Sequence, residues 1–76
     1  MLIARLETQF KYYAISIMED LLHDTVLVCD YGSKKTKFAQ RKTIVIDSLQ
    51  SGIATAQEII KRRKAHGYQT TYNIAL

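Results

Sequence analysis

The stretch from Tyr31 to Lys37, YGSKKTK, combines the residue types that a nucleic-acid-binding surface uses. An aromatic ring can stack on a base or ribose, a glycine lets a backbone pass close, and lysines neutralise phosphates. The residues concerned are Tyr31, Gly32, Lys34, Lys35 and Lys37. The alternative is a β-turn whose glycine takes a positive φ and whose lysines are merely solvated. Strict alternation also puts Tyr31 on the same face as Leu27 and Cys29, which makes it a core candidate.

Two further groups of basic residues are candidates for the same role. Arg41 shares a strand face with Lys37, whereas Lys42 lies on the other face. We include Arg41 in the nucleic-acid-binding set, although edge strands also carry cations simply to prevent pairing with other chains. The run KRRK at 61–64 falls in the last turns of a predicted helix, where cations complement the helix dipole. Arg63 also lies near the apolar stripe of that helix and can cover it with its stem.

Enzymatic chemistry has little support in the residue pattern. Cys29 and His23 are a conceivable nucleophile and base, but nothing in their spacing favours that pairing, and a cysteine within a strand is usually a small buried hydrophobe. The histidines and aspartates have no recognisable metal-ligand spacing. We therefore expect no catalytic residue, no metal and no cofactor.

Composition and charge narrow the class of protein. The chain has 76 residues, 47% of them hydrophobic, which predicts one folded domain spanning 1–76. Residues 1–33 hold two basic and five acidic side chains, and residues 34–76 hold nine basic and two acidic ones. The second part thus carries a charge of +7, and this asymmetry favours an acidic partner. The single cysteine predicts a reducing cytoplasm, and no apolar run approaches the ~20 residues of a membrane span.

The elements that must position these residues are four strands followed by a helix. Alternating or β-branched patterns predict strands at 2–7, 12–18, 25–31 and 37–47, with a loop at 19–24 and a turn opened by Gly32 and Ser33. A final extended segment is expected at 68–76.

The periodicity changes to that of a helix after Asp47. Ser48 is a good N-cap, and Gly67 is a natural terminator. An apolar stripe at helical spacing should pack on Ile15, Ile17 or their neighbours. The stripe consists of Leu49, Ile53, Ala56 and Ile60.

The pattern predicts an α+β fold with an antiparallel sheet of four to five strands and one helix across one face. One helix covers only one face, so the other must be solvated or bound to something. On the second strand, Tyr12, Ala14 and Met18 point away from Tyr13, Ile15 and Ile17. We expect a homodimer to cover the exposed set. The alternative to nucleic-acid binding is therefore a structural or interaction domain that uses this face.

At this point the ordered residues resemble the WGR domain family, named for a Trp-Gly-Arg triplet. The similarity covers about residues 10–68. The matching positions are Tyr12 and Tyr13, Asp20 to Leu22, Leu27, Val28 and Asp30, the triplet position Tyr31 to Ser33, and the closing pair Gly67 and Tyr68. The resemblance implies the α+β fold above and binding to DNA rather than RNA, with the triplet ring against a terminal nucleotide.

The chain departs from the family pattern at important positions. Only the glycine of the triplet is retained, because the chain reads Tyr-Gly-Ser there. Thr25 stands where the family often has tryptophan, and Cys29 where it usually has arginine. Since Ser33 cannot supply the triplet's charge, the hypothesis assigns that role to Lys34 and Lys35. We therefore expect weaker binding than that of a typical DNA-end-binding member.

Overall fold

The structure, a computed structural model, describes residues 1–74 and has the α+β fold that the sequence predicted. Its elements are β1 (Leu2–Glu7), β2 (Lys11–Glu19), β3 (Thr25–Ser33), β4 (Ala39–Val45), α1 (Leu49–Ala65) and β5 (Gln69–Asn73). The strands form one antiparallel sheet in the order β4-β3-β2-β1-β5. No helix within residues 1–74 is long and apolar enough to cross a membrane. The last two residues of the predicted segment 68–76 lie outside the described part.

The turn between β3 and β4 begins later than predicted. The prediction that Gly32 and Ser33 open this turn is wrong. Both residues belong to β3 and pair with neighbouring strands. The Ser33 amide donates to the Phe38 carbonyl oxygen at 3.2 Å, and the Lys34 amide donates to the Phe10 carbonyl oxygen at 2.7 Å. These bonds prolong β3 through the triplet, so the turn is residues 34–38 and β4 starts at Ala39.

The predicted boundaries of the helix are confirmed. Ser48 has an extended backbone, and its Oγ accepts a hydrogen bond from the Ser51 amide at 3.1 Å, as an N-cap does. Gly67 lies just beyond the helix with φ +91°, a conformation that favours glycine. The Tyr68 amide then returns to the Arg63 carbonyl oxygen at 3.1 Å. This bond fixes the last helical turn against the start of β5.

The core lies between the helix and one face of the sheet. Tyr13, Ile15 and Ile17 are buried there, which confirms the alternation predicted for β2. Ala56 and Ile60 pack onto them from the helix. The full cluster comprises Ile3, Ala4, Leu6, Tyr13, Ile15, Ile17, Leu27, Cys29, Ile46, Ala56 and Ile60.

The predicted apolar stripe is wrong at its first position. Leu49 is 54% exposed, whereas Gly52, one turn later, is buried. A Cβ on Gly52 would meet the side chains of Ile46 and Ile17. The helix therefore approaches the sheet closely at Gly52, while Leu49 lies at the helix start with half of its surface in solvent.

The helix α1 packs on one face of the sheet, yet the centre of the second face is buried as well. Val26 and Val28 on β3 are each 2% exposed although they point away from the helix. Their cross-strand neighbours on β2 and β4 enclose them laterally. The predicted dimer through this face stays a prediction.

Candidate functional site

The residues predicted to bind nucleic acid are divided between the two faces of the sheet. Tyr31 is on the helix side, whereas Gly32 and Arg41 are on the opposite side. Arg41 forms two hydrogen bonds with Asp30, at 2.7 and 3.2 Å, and these bonds raise the pKa of Arg41. Lys34 forms an ion pair with Glu7. The structure therefore does not bring the predicted set together on one surface.

Glu7 anchors a charge network on the face without the helix. Its carboxylate accepts from Lys34 and from Arg5, whose Nε lies 3.1 Å away, and from the Thr71 hydroxyl. The hydrogen bond from Lys34, and then the one from Arg5, lower the pKa of Glu7 to about 2. Lys34 is thus an ion-pair partner within the domain.

The other two lysines of the turn are at its exposed tip. Lys35 places its Nζ 4.3 Å from the centre of the Phe10 ring, a cation–π distance. Lys37 is exposed, as is Phe38 beside it. Lys35 and Lys37 therefore remain available to a partner that approaches this end of the sheet.

Gly32 is required neither for a positive φ nor for the close approach of a ligand, the two reasons that the sequence suggested. Its φ is not positive, and no ligand is needed to explain it. A Cβ at this position would collide with the backbone carbonyl oxygen of Phe38. The glycine therefore allows the turn at 34–38 to fold back closely over the end of β3.

Tyr31 belongs to a group of three tyrosines under the end of the helix. Its ring is parallel to that of Tyr13, with the centroids 5.2 Å apart and the planes at 10°. Tyr68 meets Tyr13 edge-on at 6.4 Å. Tyr31 is partly buried and packs against the core, so its ring contributes to folding and also lines a cleft.

Arg63 lies over this tyrosine group. Its guanidinium carbon is 5.2 Å from the centre of the Tyr13 ring. Its Nε is buried and has no hydrogen-bond partner within residues 1–74. A buried donor without an acceptor costs free energy.

Two clefts meet at Arg63. The first, which we call the aromatic cleft, has a volume of about 280 Å³. It is lined, besides Arg63, by Lys11, Tyr31, Gly32, Ser33, Phe38 and Tyr68. The second, the cationic cleft, has a volume of about 210 Å³ and lies between α1 and the strands β3 and β4. Its polar lining includes Lys42, Arg62, Thr55 and Glu58. We refer to both clefts together as the groove.

No carboxylate of the described residues neutralises the positive charges of the groove. In the described part of the chain, Lys11, Lys42, Arg62 and Arg63 form no ion pair with a carboxylate. Among residues 1–74, Glu58 is the one acidic residue that lines either cleft. By contrast, Arg5, Lys34 and Arg41 on the opposite face all have carboxylate partners. The groove therefore carries positive charge that can attract anions.

Cys29 forms part of the floor of the cationic cleft. The side chain is fully buried, and this burial raises the pKa of the thiol. Burial, and then hydrogen bonding with Cys29, raise the pKa of Tyr13 as well. His23 lies elsewhere, with its Nδ1 2.7 Å from Glu19 Oε1. Across residues 1–74, no three His, Cys, Asp or Glu side chains come together as a metal site.

Several residues of the groove were missed by the choice of site from sequence. Lys11 precedes Tyr13 by two positions and shares its face of the sheet. Lys42 lies, as predicted, on the face of the sheet that Arg41 does not occupy. Arg62 and Arg63 follow Ile59 at helical spacing. The sequence thus contained signals for these residues. The site predicted from sequence instead followed residues that are neighbours along the chain, Tyr31 and the lysines after it.

The chain was compared with family models, with curated proteins and with solved structures, and none of them matches it.

Proposed function

We propose that this protein is a small nucleic-acid-binding module that holds a strand in the groove. It would act in the reducing cytoplasm, where the buried Cys29 thiol stays free. Binding through unneutralised cations is independent of sequence, since phosphates are common to all strands. The resemblance to WGR domains is the reason for proposing DNA rather than RNA, and it makes this chain a candidate WGR-type module.

The observation that carries the proposal is the environment of Arg63. The residue lines both clefts, so it joins the one lined by Lys42 and Arg62 to the one lined by aromatic rings. Its buried Nε has no hydrogen-bond partner among residues 1–74. A phosphate in the cationic cleft would meet the cations of Lys42, Arg62 and Arg63. A base in the aromatic cleft would meet the rings of Phe38 and Tyr68. Base–aromatic stacking tolerates any sequence, which fits binding that is independent of sequence.

The proposal changes the roles of the residues predicted from sequence. Tyr31 contributes its ring to the wall of the aromatic cleft, and Lys35 and Lys37 add charge at the nearby turn. Lys34 and Arg41 are already neutralised by carboxylates. They therefore contribute less to phosphate binding than Lys42 and Arg62.

The experiment compares two double variants that have the same net charge. Lys42→Gln with Arg62→Gln removes two cations from the groove, and Lys34→Gln with Arg41→Gln removes two from the opposite face. Fluorescence anisotropy would measure the binding of labelled duplex ends, nicked duplex, single-stranded DNA and RNA over a range of salt concentrations. We expect affinity near the micromolar range at low salt, as is typical of binding dominated by phosphate contacts.

The groove variant should bind about tenfold or more weakly. The slope of log K against log salt should fall by about 1.4 for single strands and about 1.8 for duplexes, the value for two lost phosphate contacts. The opposite-face variant should retain most of the affinity and slope. Equal losses in both variants would show that binding is not located in the groove. No binding of any probe at low salt would end the proposal.

A further inference from the structure

The end of the sheet farthest from the aromatic cleft is unusually apolar at its surface. Of the eleven exposed large hydrophobic side chains in residues 1–74, eight lie at this end, where β1 begins, β2 ends and α1 begins. They are Met1, Leu2, Met18, Leu21, Leu22, Val45, Leu49 and Ile74. A concentration of this kind on a small domain indicates an interaction surface.

The most exposed of these residues are held on an ordered loop. Leu21 and Leu22 are 98% and 79% exposed. Asp20 Oδ1 accepts from the amides of Leu22 and Asp24, each at 2.9 Å, and the Asp20 amide donates to the Asp24 carbonyl oxygen at 2.9 Å. The loop thus presents two leucines in a fixed arrangement, which lowers the entropy cost of inserting them into a partner.

The same end is acidic. Its carboxylates are those of Glu19, Asp20, Asp24 and Asp47, and the segments that form it contain no lysine or arginine. We call this surface the acidic end. A symmetric dimer through it would bring four carboxylates of one copy against four of the other, and this arrangement is repulsive. The surface therefore requires a partner with positive charge.

The opposite end of the sheet has the complementary properties. We call it the basic end, formed by the loop 8–10, the turn 34–38 and the end of α1. It carries lysines and arginines together with the exposed rings of Phe10 and Phe38, which are 45% and 59% exposed. Apolar side chains are thus present on both ends, with opposite charge around them.

We propose that copies of this chain associate head to tail, with the acidic end of one copy on the basic end of the next. The leucines of the loop would contact the phenylalanine rings, and the carboxylates would face Lys35 and Lys37. Because such a contact does not close on itself, it produces short linear chains of copies rather than a fixed dimer. The proposal does not depend on nucleic-acid binding.

Sedimentation velocity of the purified protein without nucleic acid tests this directly. From 5 to 200 µM in 20 mM salt, the average sedimentation coefficient should rise with concentration, and 500 mM salt should return it to that of a monomer. Leu21→Ser with Leu22→Ser disrupts the acidic end, and Lys35→Glu with Lys37→Glu disrupts the basic end. Each variant alone should stay monomeric at 200 µM, with unchanged circular dichroism because all four residues are exposed.

A mixture of the two variants distinguishes this arrangement from any symmetric one. One variant retains only a working basic end and the other only a working acidic end, so the mixture should form a 1:1 dimer and nothing larger. Ala54→Glu with Gln57→Glu adds negative charge at exposed positions in the middle of α1, away from both ends, and should still associate. A wild-type protein that remains monomeric, variants that self-associate, or a mixture that stays monomeric would overturn the proposal.

Discussion

Replacement of Ile60 by alanine should remove a large share of the stability of this domain. Ile60 is 6% exposed and packs in the core cluster. Alanine lacks three of its carbon atoms, and at ~0.8 kcal/mol for each buried methylene the lost transfer free energy is about 2.4 kcal/mol. The unfilled cavity adds to this, whereas the better helix propensity of alanine returns a few tenths. We expect the free energy of unfolding to fall by about 3 kcal/mol.

Leu49→Ala provides a control within the same helix. The sequence pattern puts both residues on one apolar stripe, but Leu49 is 54% exposed. Its loss should therefore cost about 1 kcal/mol or less. A domain of 76 residues has a total stability of about 4–11 kcal/mol, so the two variants should differ clearly.

Urea denaturation followed by circular dichroism at 222 nm measures both changes. With an m-value of about 1 kcal/mol/M, the transition midpoint should fall by about 3 M for Ile60→Ala and by about 1 M or less for Leu49→Ala. An equal loss in both variants would refute the packing described here, since it would mean that the helix lies on the sheet from its first residue.

Three further changes have distinct expected results. Tyr31→Ala should reduce the free energy of unfolding by about 2 kcal/mol because the ring packs on Tyr13, which corresponds to a fall in melting temperature of about 8–16 °C. Tyr31→Phe should melt close to wild type. An unchanged melting temperature for the alanine variant would show that the ring only lines the cleft. Gly32→Ala should cost about 1–3 kcal/mol because its methyl group meets the Phe38 carbonyl oxygen, and a wild-type urea midpoint would contradict this. The folded-state pKa of Glu7 is about 2, below its ordinary value of 4.5, so its ion pairs contribute stability above pH 4.5 that is lost as the pH falls toward 2. Acid titrations of wild type and Glu7→Gln should therefore diverge in that range, less so at high salt, and parallel curves would exclude the network.

The sequence predicted most of the fold because strands and helices have different apolar periods. The alternation in 12–18 identified Tyr13, Ile15 and Ile17 as the buried face, and Ser48 and Gly67 marked the helix boundaries through local backbone chemistry. The error at Leu49 has a different origin. Periodicity identifies which side of a helix is apolar, but not where along its length the helix meets the sheet.

The candidate site depended more on tertiary structure. From sequence alone, Tyr31, Lys34 and Arg41 are close together and similarly available. In the fold, Lys34 and Arg41 are neutralised by Glu7 and Asp30 across strand pairs. The sequence contains both the cations and the carboxylates, but only strand register decides which of them meet.

The sequence by itself determined the basic character of residues 34–76, the α+β class and the presence of a tyrosine next to a lysine-rich turn. The tertiary structure decided which of those charges remain free, because it packs α1 beside β4 and brings Lys42, Arg62 and Arg63 into one groove. It also gathered four carboxylates and most of the exposed apolar side chains at the other end of the sheet. Both surfaces combine residues distant in sequence, and their proximity results from antiparallel strand pairing and helix packing, which depend on long-range contacts.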